Sequence, residues 1–102
     1  FRNSFEAYRE VALDIKEGAD MIIVKPGMIY LDIIRNIKKN FNVPIIAYQV
    51  SGEYSLIKDG IKKKLFKEDI IFESLIAFKR AGACAIISYF AIEVAKKLKK
   101  IN

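Results

Sequence analysis

The sequence predicts an α/β fold of three parallel βα units, which form the C-terminal part of an eight-stranded (βα)8, or TIM, barrel. Short apolar runs alternate with longer segments of helical periodicity, a pattern typical of parallel strands joined by right-handed crossovers. A helix stop followed by a strand also occurs twice, because residues 17–23 (EGADMII) resemble residues 81–87 (AGACAII). A closed barrel takes about 250 residues. Residues 1–102 are therefore expected to form a single partial domain.

A small free-standing sheet is the alternative fold. It would leave apolar strand edges uncovered, which natural proteins usually avoid. The sequence therefore favours the barrel segment.

The first half of the chain predicts a helix, a strand and a second helix. Residues 5–17 form a helix that is capped by Ser4 and ends at Gly18, with an apolar face at spacings of three and four: Phe5, Tyr8, Val11, Ala12 and Ile15. Residues 21–24 form an apolar strand that is expected to be buried on both faces. Residues 30–39 form the second helix.

The second half predicts two more strands, at 44–50 and 85–89, each followed by a helix. A short helix is expected over 53–59 and a solvated lysine run over 62–64. The two long helices, residues 69–81 and 91–100, are predicted to face inward through two sets of apolar side chains: Ile70, Phe72, Leu75, Ile76 and Phe78 in the first, and Ile92, Ala95 and Leu98 in the second.

Composition excludes several classes of site. The single cysteine and the absence of histidine exclude an internal disulfide, a usual zinc site and a histidine-based triad, and Cys84 is expected to pack as a small apolar residue. The net charge of +6 comes mainly from lysines on presumed outer helix faces, which favours a solvated surface over a nucleic-acid patch. No apolar run is long enough for a membrane span and the N-terminus lacks a signal-like segment, so we expect a cytoplasmic protein with no membrane or nucleic-acid partner.

Three strand ends offer side chains for chemistry. Lys25 precedes Pro26-Gly27, and the carboxyl ends of parallel strands, where barrel active sites lie, also present Ser51 and Tyr89. A lysine attacks a carbonyl as its free amine, a condition that burial or a neighbouring cation provides. The serine hydroxyl and the phenol are suitable donors for a substrate carboxylate.

Each of these residues also has a structural interpretation. From spacing alone, Lys25 is equally well an ion-paired structural lysine, whereas a serine placed like Ser51 is more often a turn hydroxyl and a tyrosine placed like Tyr89 more often a core ring. Glu10 and Asp14, four residues apart on the first helix, fit either an ion site or a solvated face.

Longer motifs extend this hypothesis. Residues 17–28 (EGADMIIVKPGM), 48–54 (YQVSGEY) and 88–90 (SYF), with shorter segments between them, resemble the C-terminal third of the porphobilinogen synthase, or delta-aminolevulinic acid dehydratase, family. The resemblance covers essentially the whole chain. It implies a TIM barrel enzyme of tetrapyrrole synthesis that condenses two 5-aminolevulinate molecules to porphobilinogen and usually assembles as a homo-octamer.

The resemblance also implies roles for single residues. Lys25 would form a Schiff base with the 5-aminolevulinate that becomes the propionate-bearing side of the product, Ser51 and Tyr89 would bind the carboxylate of that molecule, and Glu10 would bind an allosteric magnesium ion. The second Schiff-base lysine and the metal segment would precede Phe1, so a zinc requirement stays open and the isolated piece is expected to be inactive. Three alternatives remain: another lysine-imine barrel such as a class I aldolase, a basic nucleic-acid-binding module, and a noncatalytic remnant that only packs against a partner.

Overall fold

A parallel sheet flanked by helices organises the chain. The computed structural model describes residues 4–101, with the side chains of residues 5–100. In chain order the elements are α1 (Ser4–Lys16), β1 (Ile22–Val24), a 3-10 turn (Met28–Tyr30), α2 (Leu31–Asn40), β2 (Ile45–Gln49), α3 (Ser51–Lys62), α4 (Ile70–Ala81), β3 (Ala85–Ser88) and α5 (Ala91–Ile101).

The sheet has the strand order β1-β2-β3, and both pairings are parallel. Ile23 lies beside Ile46, which lies beside Ala85, so equivalent residues of the strands share a row across the sheet. The predicted α/β class and its parallel strands are therefore confirmed. Within the described residues β1 and β3 are edge strands, each with one side left unpaired.

The main core lies between one face of the sheet and the helices. Helix α2 packs on β2, on α1 and on α4. Each of these elements contributes buried side chains to the core. The buried cluster comprises Ala7, Val11, Ile22, Val24, Ile33, Ile34, Ile37, Ile45, Ala47, Phe78 and Ala83. A smaller cluster of Ile57, Ile71 and Phe90 joins α3 and α4 to the start of α5. The two clusters meet at Met28, which packs against both. Met28 is the first residue of the 3-10 turn after β1.

The opposite face of the sheet is largely uncovered, which corrects the prediction that the first strand is buried on both faces. Ile23 is 52% exposed, whereas its neighbours Ile22 and Val24 are buried. Ile87 on β3 is exposed in the same way. Successive side chains of a strand point to opposite faces, and the helices of this chain cover only one of them.

All the predicted helices are present, but α3 is longer than expected, because it runs over Ser51–Lys62 instead of 53–59. Gly60 lies inside this helix, where a Cβ would lie 2.6 Å from the Phe66 ring. Because α3 extends this far, Lys62 is its last residue. The rest of the lysine run, residues 63–64, is an exposed turn as predicted. Among the described helices, none is both long and apolar enough to span a bilayer.

Several predicted inner faces are wrong. Phe5 is 80% exposed, because α1 packs through Ala7 and Val11 instead. In α5, Ile92 is 74% exposed, and Val94 makes the core contact. The other predicted inward side chains that are exposed are Tyr8, Ile76, Ala95 and Leu98. Helical periodicity identifies an apolar stripe, but the neighbouring elements decide which part of it is covered.

Two further predictions concern single residues. Cys84, expected to pack as a small apolar residue, is exposed, because it lies just before β3 at the start of an edge strand. The predicted capping of α1 by Ser4 falls outside the described side chains.

Candidate active site

Lys25 follows β1 directly and is exposed, at the carboxyl end of the strand as the sequence predicts. The alternation of β1 places it on the uncovered face with Ile23. Within the described part of the chain Lys25 has no ion-pair partner, so its interpretation as an ion-paired structural lysine finds no support there. Its amine is open to a ligand.

The loop after Lys25 is held against the neighbouring elements. The Lys25–Pro26 peptide bond is cis. The Gly27 N–H donates to the Tyr48 carbonyl of β2 at 2.8 Å, and the Met28 N–H donates to Oε2 of Glu53 at 2.8 Å. The loop that positions the amine is therefore fixed to both β2 and α3.

Ser51 is the first residue of α3 and is exposed. It lies beyond the end of β2, which stops at Gln49 and not at residue 50 as predicted. The first N–H groups of a helix lack partners inside the helix and favour negative charge, so the Ser51 hydroxyl stands where a carboxylate is readily bound.

Tyr89 follows β3 and is 58% exposed, so the alternative that it is a core ring is wrong. Its ring lies 5.4 Å from the ring of Tyr54, centroid to centroid, and Tyr54 also contacts Phe90 at 4.6 Å. Tyr54 belongs to the first turn of α3, the turn that begins at Ser51. The structure thus packs the Tyr89 ring against the helical turn that begins at Ser51.

A buried polar network lies beneath these strand ends. Gln49, fully buried, donates through Nε2 to Ser74 Oγ at 3.0 Å and to Met28 Sδ at 3.5 Å. Ser88 Oγ donates to Gln49 Oε1 at 2.6 Å and accepts the Phe90 N–H at 3.1 Å. The Gln49 side chain therefore links the segment that follows β1 to the last residue of β3, and the turn that presents Tyr89 is tied to β2.

Glu53 and Gln49 are the residues that sequence reasoning missed. A signal existed for Glu53, since a glutamate at the third position of a helix commonly accepts a backbone N–H at the helix start. Gln49 offered only a polar side chain at the end of an apolar strand. Neither pattern indicates which loops the side chain joins.

Glu10 lies on the outer surface of α1 and is exposed, as is Asp14. Neither is at the carboxyl ends of the strands with the other candidates. Among the described residues, no group of three histidine, cysteine, aspartate or glutamate side chains could hold a metal ion. The carboxylate oxygens of Glu10 and Asp14 are donors of the kind that magnesium prefers.

Comparison with known proteins decides the family. The family model for delta-aminolevulinic acid dehydratase matches residues 1–97. The chain belongs to this family.

Among its relatives, the delta-aminolevulinic acid dehydratase of Archaeoglobus fulgidus is 55% identical over 97 residues, which are 95% of this chain and 30% of that protein. The protein of the same name from Bradyrhizobium diazoefficiens is 54% identical over 95% of this chain and 28% of its own length. A crystal structure of delta-aminolevulinic acid dehydratase (porphobilinogen synthase) from Toxoplasma gondii, in complex with the reaction product porphobilinogen, superposes with a TM-score of 0.88 at 47% identity. That match covers 92% of this chain and 27% of the other. The chain thus spans less than a third of the length of these dehydratases.

The loop after Lys25 requires a small residue at position 27. A Cβ at Gly27 would lie 2.6 Å from Cε1 of Phe78, whose ring is fully buried. We expect Gly27→Ala to destabilise the protein by about 1–3 kcal/mol, because the rigid core ring has to shift. Urea unfolding measures the change. Gly52→Ala is the matched control, because its Cβ would meet nothing within 4 Å; an equal loss in both variants would contradict the packing explanation.

Proposed function

We propose that this chain is the C-terminal part of a porphobilinogen synthase, which condenses two 5-aminolevulinate molecules to porphobilinogen and releases two waters. The observation that supports it most is the exposed Lys25 amine at the end of β1, on the same rim as Ser51 and Tyr89, in a chain of this family. The solved relative with bound porphobilinogen supports the same substrate class.

Lys25 is the proposed nucleophile. Its neutral amine attacks the ketone carbon of the first 5-aminolevulinate, a C–N bond forms, and the carbonyl oxygen leaves as water to give the imine. Lys25 is exposed in this chain, so the rest of the protein has to provide the dry surroundings that favour a neutral amine. The exposed apolar side chain Ile23 beside it is a suitable part of such a wall.

Ser51 and Tyr89 are the proposed carboxylate holders. Both are exposed donors, and the Tyr89 ring contacts Tyr54 in the helical turn that begins at Ser51. A carboxylate held there would be favoured by both hydroxyl groups and by the positive end of the helix dipole. Anchoring this end of the substrate holds its ketone for attack by Lys25, which is an effect of orientation.

Removing either donor is expected to weaken substrate binding. Ser51→Ala and Tyr89→Phe should each raise the half-saturating 5-aminolevulinate concentration for trapping at Lys25 by about 10-fold or more, since a hydrogen bond to a charged group contributes about 1.5–3 kcal/mol. Titration of borohydride trapping in the full-length protein measures this. Ser55→Ala, an exposed serine one turn further along α3, is the control; unchanged half-saturation in the first two variants would refute these roles.

The three βα units are proposed to form part of an eight-stranded barrel. The unpaired edges of β1 and β3 and the uncovered apolar face with Ile23 and Ile87 support this, because closing the sheet would cover all of them. Residues 1–102 then form a partial domain, and we expect the piece alone to yield no porphobilinogen in a product assay. Amide exchange should show β1 and β3 protected more strongly in the full-length protein than in the piece.

We further propose that Glu10 binds a magnesium ion. The complete enzyme is proposed to be a cytoplasmic homo-octamer. Glu10 would supply one oxygen ligand, and magnesium, which keeps several waters, accepts such a partial set. When bound, the ion would neutralise carboxylate charge on the surface of α1. Sedimentation and thermal midpoints of the full-length protein with and without magnesium test this. A magnesium response that Glu10→Gln leaves unchanged would exclude Glu10 as a ligand.

Borohydride reduction in the presence of substrate tests the function directly. The full-length protein should gain the mass of reduced 5-aminolevulinate on the peptide that contains Lys25, and it should form porphobilinogen. A class I aldolase would instead be trapped by a sugar phosphate, so trapping with that substrate alone would replace the proposed activity.

A further inference from the structure

Glu53 joins the two loops that present the proposed catalytic and binding groups. Its Oε2 accepts the Met28 N–H at 2.8 Å, three residues after Lys25, and its Oε1 accepts the Val50 N–H at 3.2 Å, one residue before Ser51. Both carboxylate oxygens are used, each by a different loop.

The surroundings of Glu53 make this bridge stiff. Glu53 is only 9% exposed, and it lies in the first turn of α3. A buried carboxylate costs free energy unless hydrogen bonds and a favourable field compensate for the lost water. The two N–H donors and the positive end of the helix provide both kinds of compensation.

We propose that Glu53 is a positioning residue that sets the distance between the Lys25 amine and the carboxylate-holding start of α3. The inference rests on the proposed function. The substrate would be anchored at Ser51 and attacked by Lys25, and these residues belong to two separate segments, the start of α3 and the loop after β1. The single side chain of Glu53 connects these two segments, although Glu53 and Met28 are 25 residues apart in the sequence.

A glutamine at position 53 tests the two hydrogen bonds separately from the size of the side chain. Glu53→Gln keeps the size of the side chain, but its one carbonyl oxygen replaces two acceptors, and its NH2 group faces an N–H donor. One loop is therefore released. The substrate still binds at Ser51 and Tyr89, but its ketone is held less well against Lys25.

The test uses the full-length protein, 5-aminolevulinate and borohydride. We expect Glu53→Gln to lower the limiting rate of trapping at Lys25 by about 10-fold to 100-fold, because small misplacements of reacting groups have effects of this size. The half-saturating concentration should change by less than about threefold, since the groups that hold the carboxylate remain. Glu73→Gln, an exposed glutamate in the first turn of α4, should leave both quantities unchanged.

The outcomes separate the two proposals. A wild-type protein that is not trapped at Lys25 refutes the proposed function itself. Trapping in the wild type with an unchanged limiting rate per folded molecule in Glu53→Gln, even with a lower thermal midpoint, would assign Glu53 to stability alone and overturn the inference. If Glu53→Gln does not fold, Glu53→Asp replaces it, because the shorter carboxylate keeps the charge but cannot span both donors. Failure of both variants to fold would also overturn the inference, since Glu53 would then be required for folding.

Discussion

Replacing Lys25 with alanine should abolish porphobilinogen formation and borohydride trapping in the full-length protein. Lys25 presents an amine at the end of its strand, whereas Ser51 and Tyr89 present hydroxyls. We expect turnover to fall by about a thousandfold or more, because the covalent route to the product is lost. A product assay and mass spectrometry of the reduced protein measure the two effects.

The thermal midpoint of the Lys25→Ala protein should stay close to that of the wild type, because the Lys25 side chain has no ion-pair partner in the described part of the chain. Lys62→Ala, at the exposed end of α3, is the matched control and should retain both turnover and trapping. Normal turnover in Lys25→Ala would refute the Schiff-base role.

Replacing Phe78 with alanine should produce the largest loss of stability. The ring is fully buried on α4, belongs to the main core and lies against Gly27. We expect a loss of about 3–5 kcal/mol, which combines the lost burial of the ring with the cavity that it leaves. Urea unfolding of the full-length protein gives the value.

The same substitution should also slow trapping at Lys25, because Gly27 in the loop that follows the lysine would lose the surface on which it packs. Phe5→Ala is the control. That ring is mostly exposed, so its removal should change the stability by less than about 0.5 kcal/mol. Equal losses in both variants would mean that the buried position of Phe78 does not matter.

Sequence periodicity predicted the position of Lys25 better than the packing of the helices. Lys25 could be placed at a strand end because an apolar run precedes it and a proline follows it, which are local properties of the chain. Ser51 was expected at the end of a strand and instead begins α3, a shift that follows from where the helix gains its first hydrogen bonds. The bridges made by Glu53 and Gln49 could not be predicted, because they join residues 21–39 positions apart.

The sequence by itself determined the order of helices and strands, the parallel α/β class and the family, because these depend on local periodicity and on contiguous motifs. Only the tertiary structure decided which apolar stripes are covered, as Phe5 and Ile92 show by their exposure and Ala7 and Val94 by their packing. It also decided that Glu53 ties the Lys25 loop to α3. Burial and long-range hydrogen bonds depend on which elements meet in space, and no short stretch of sequence contains that information.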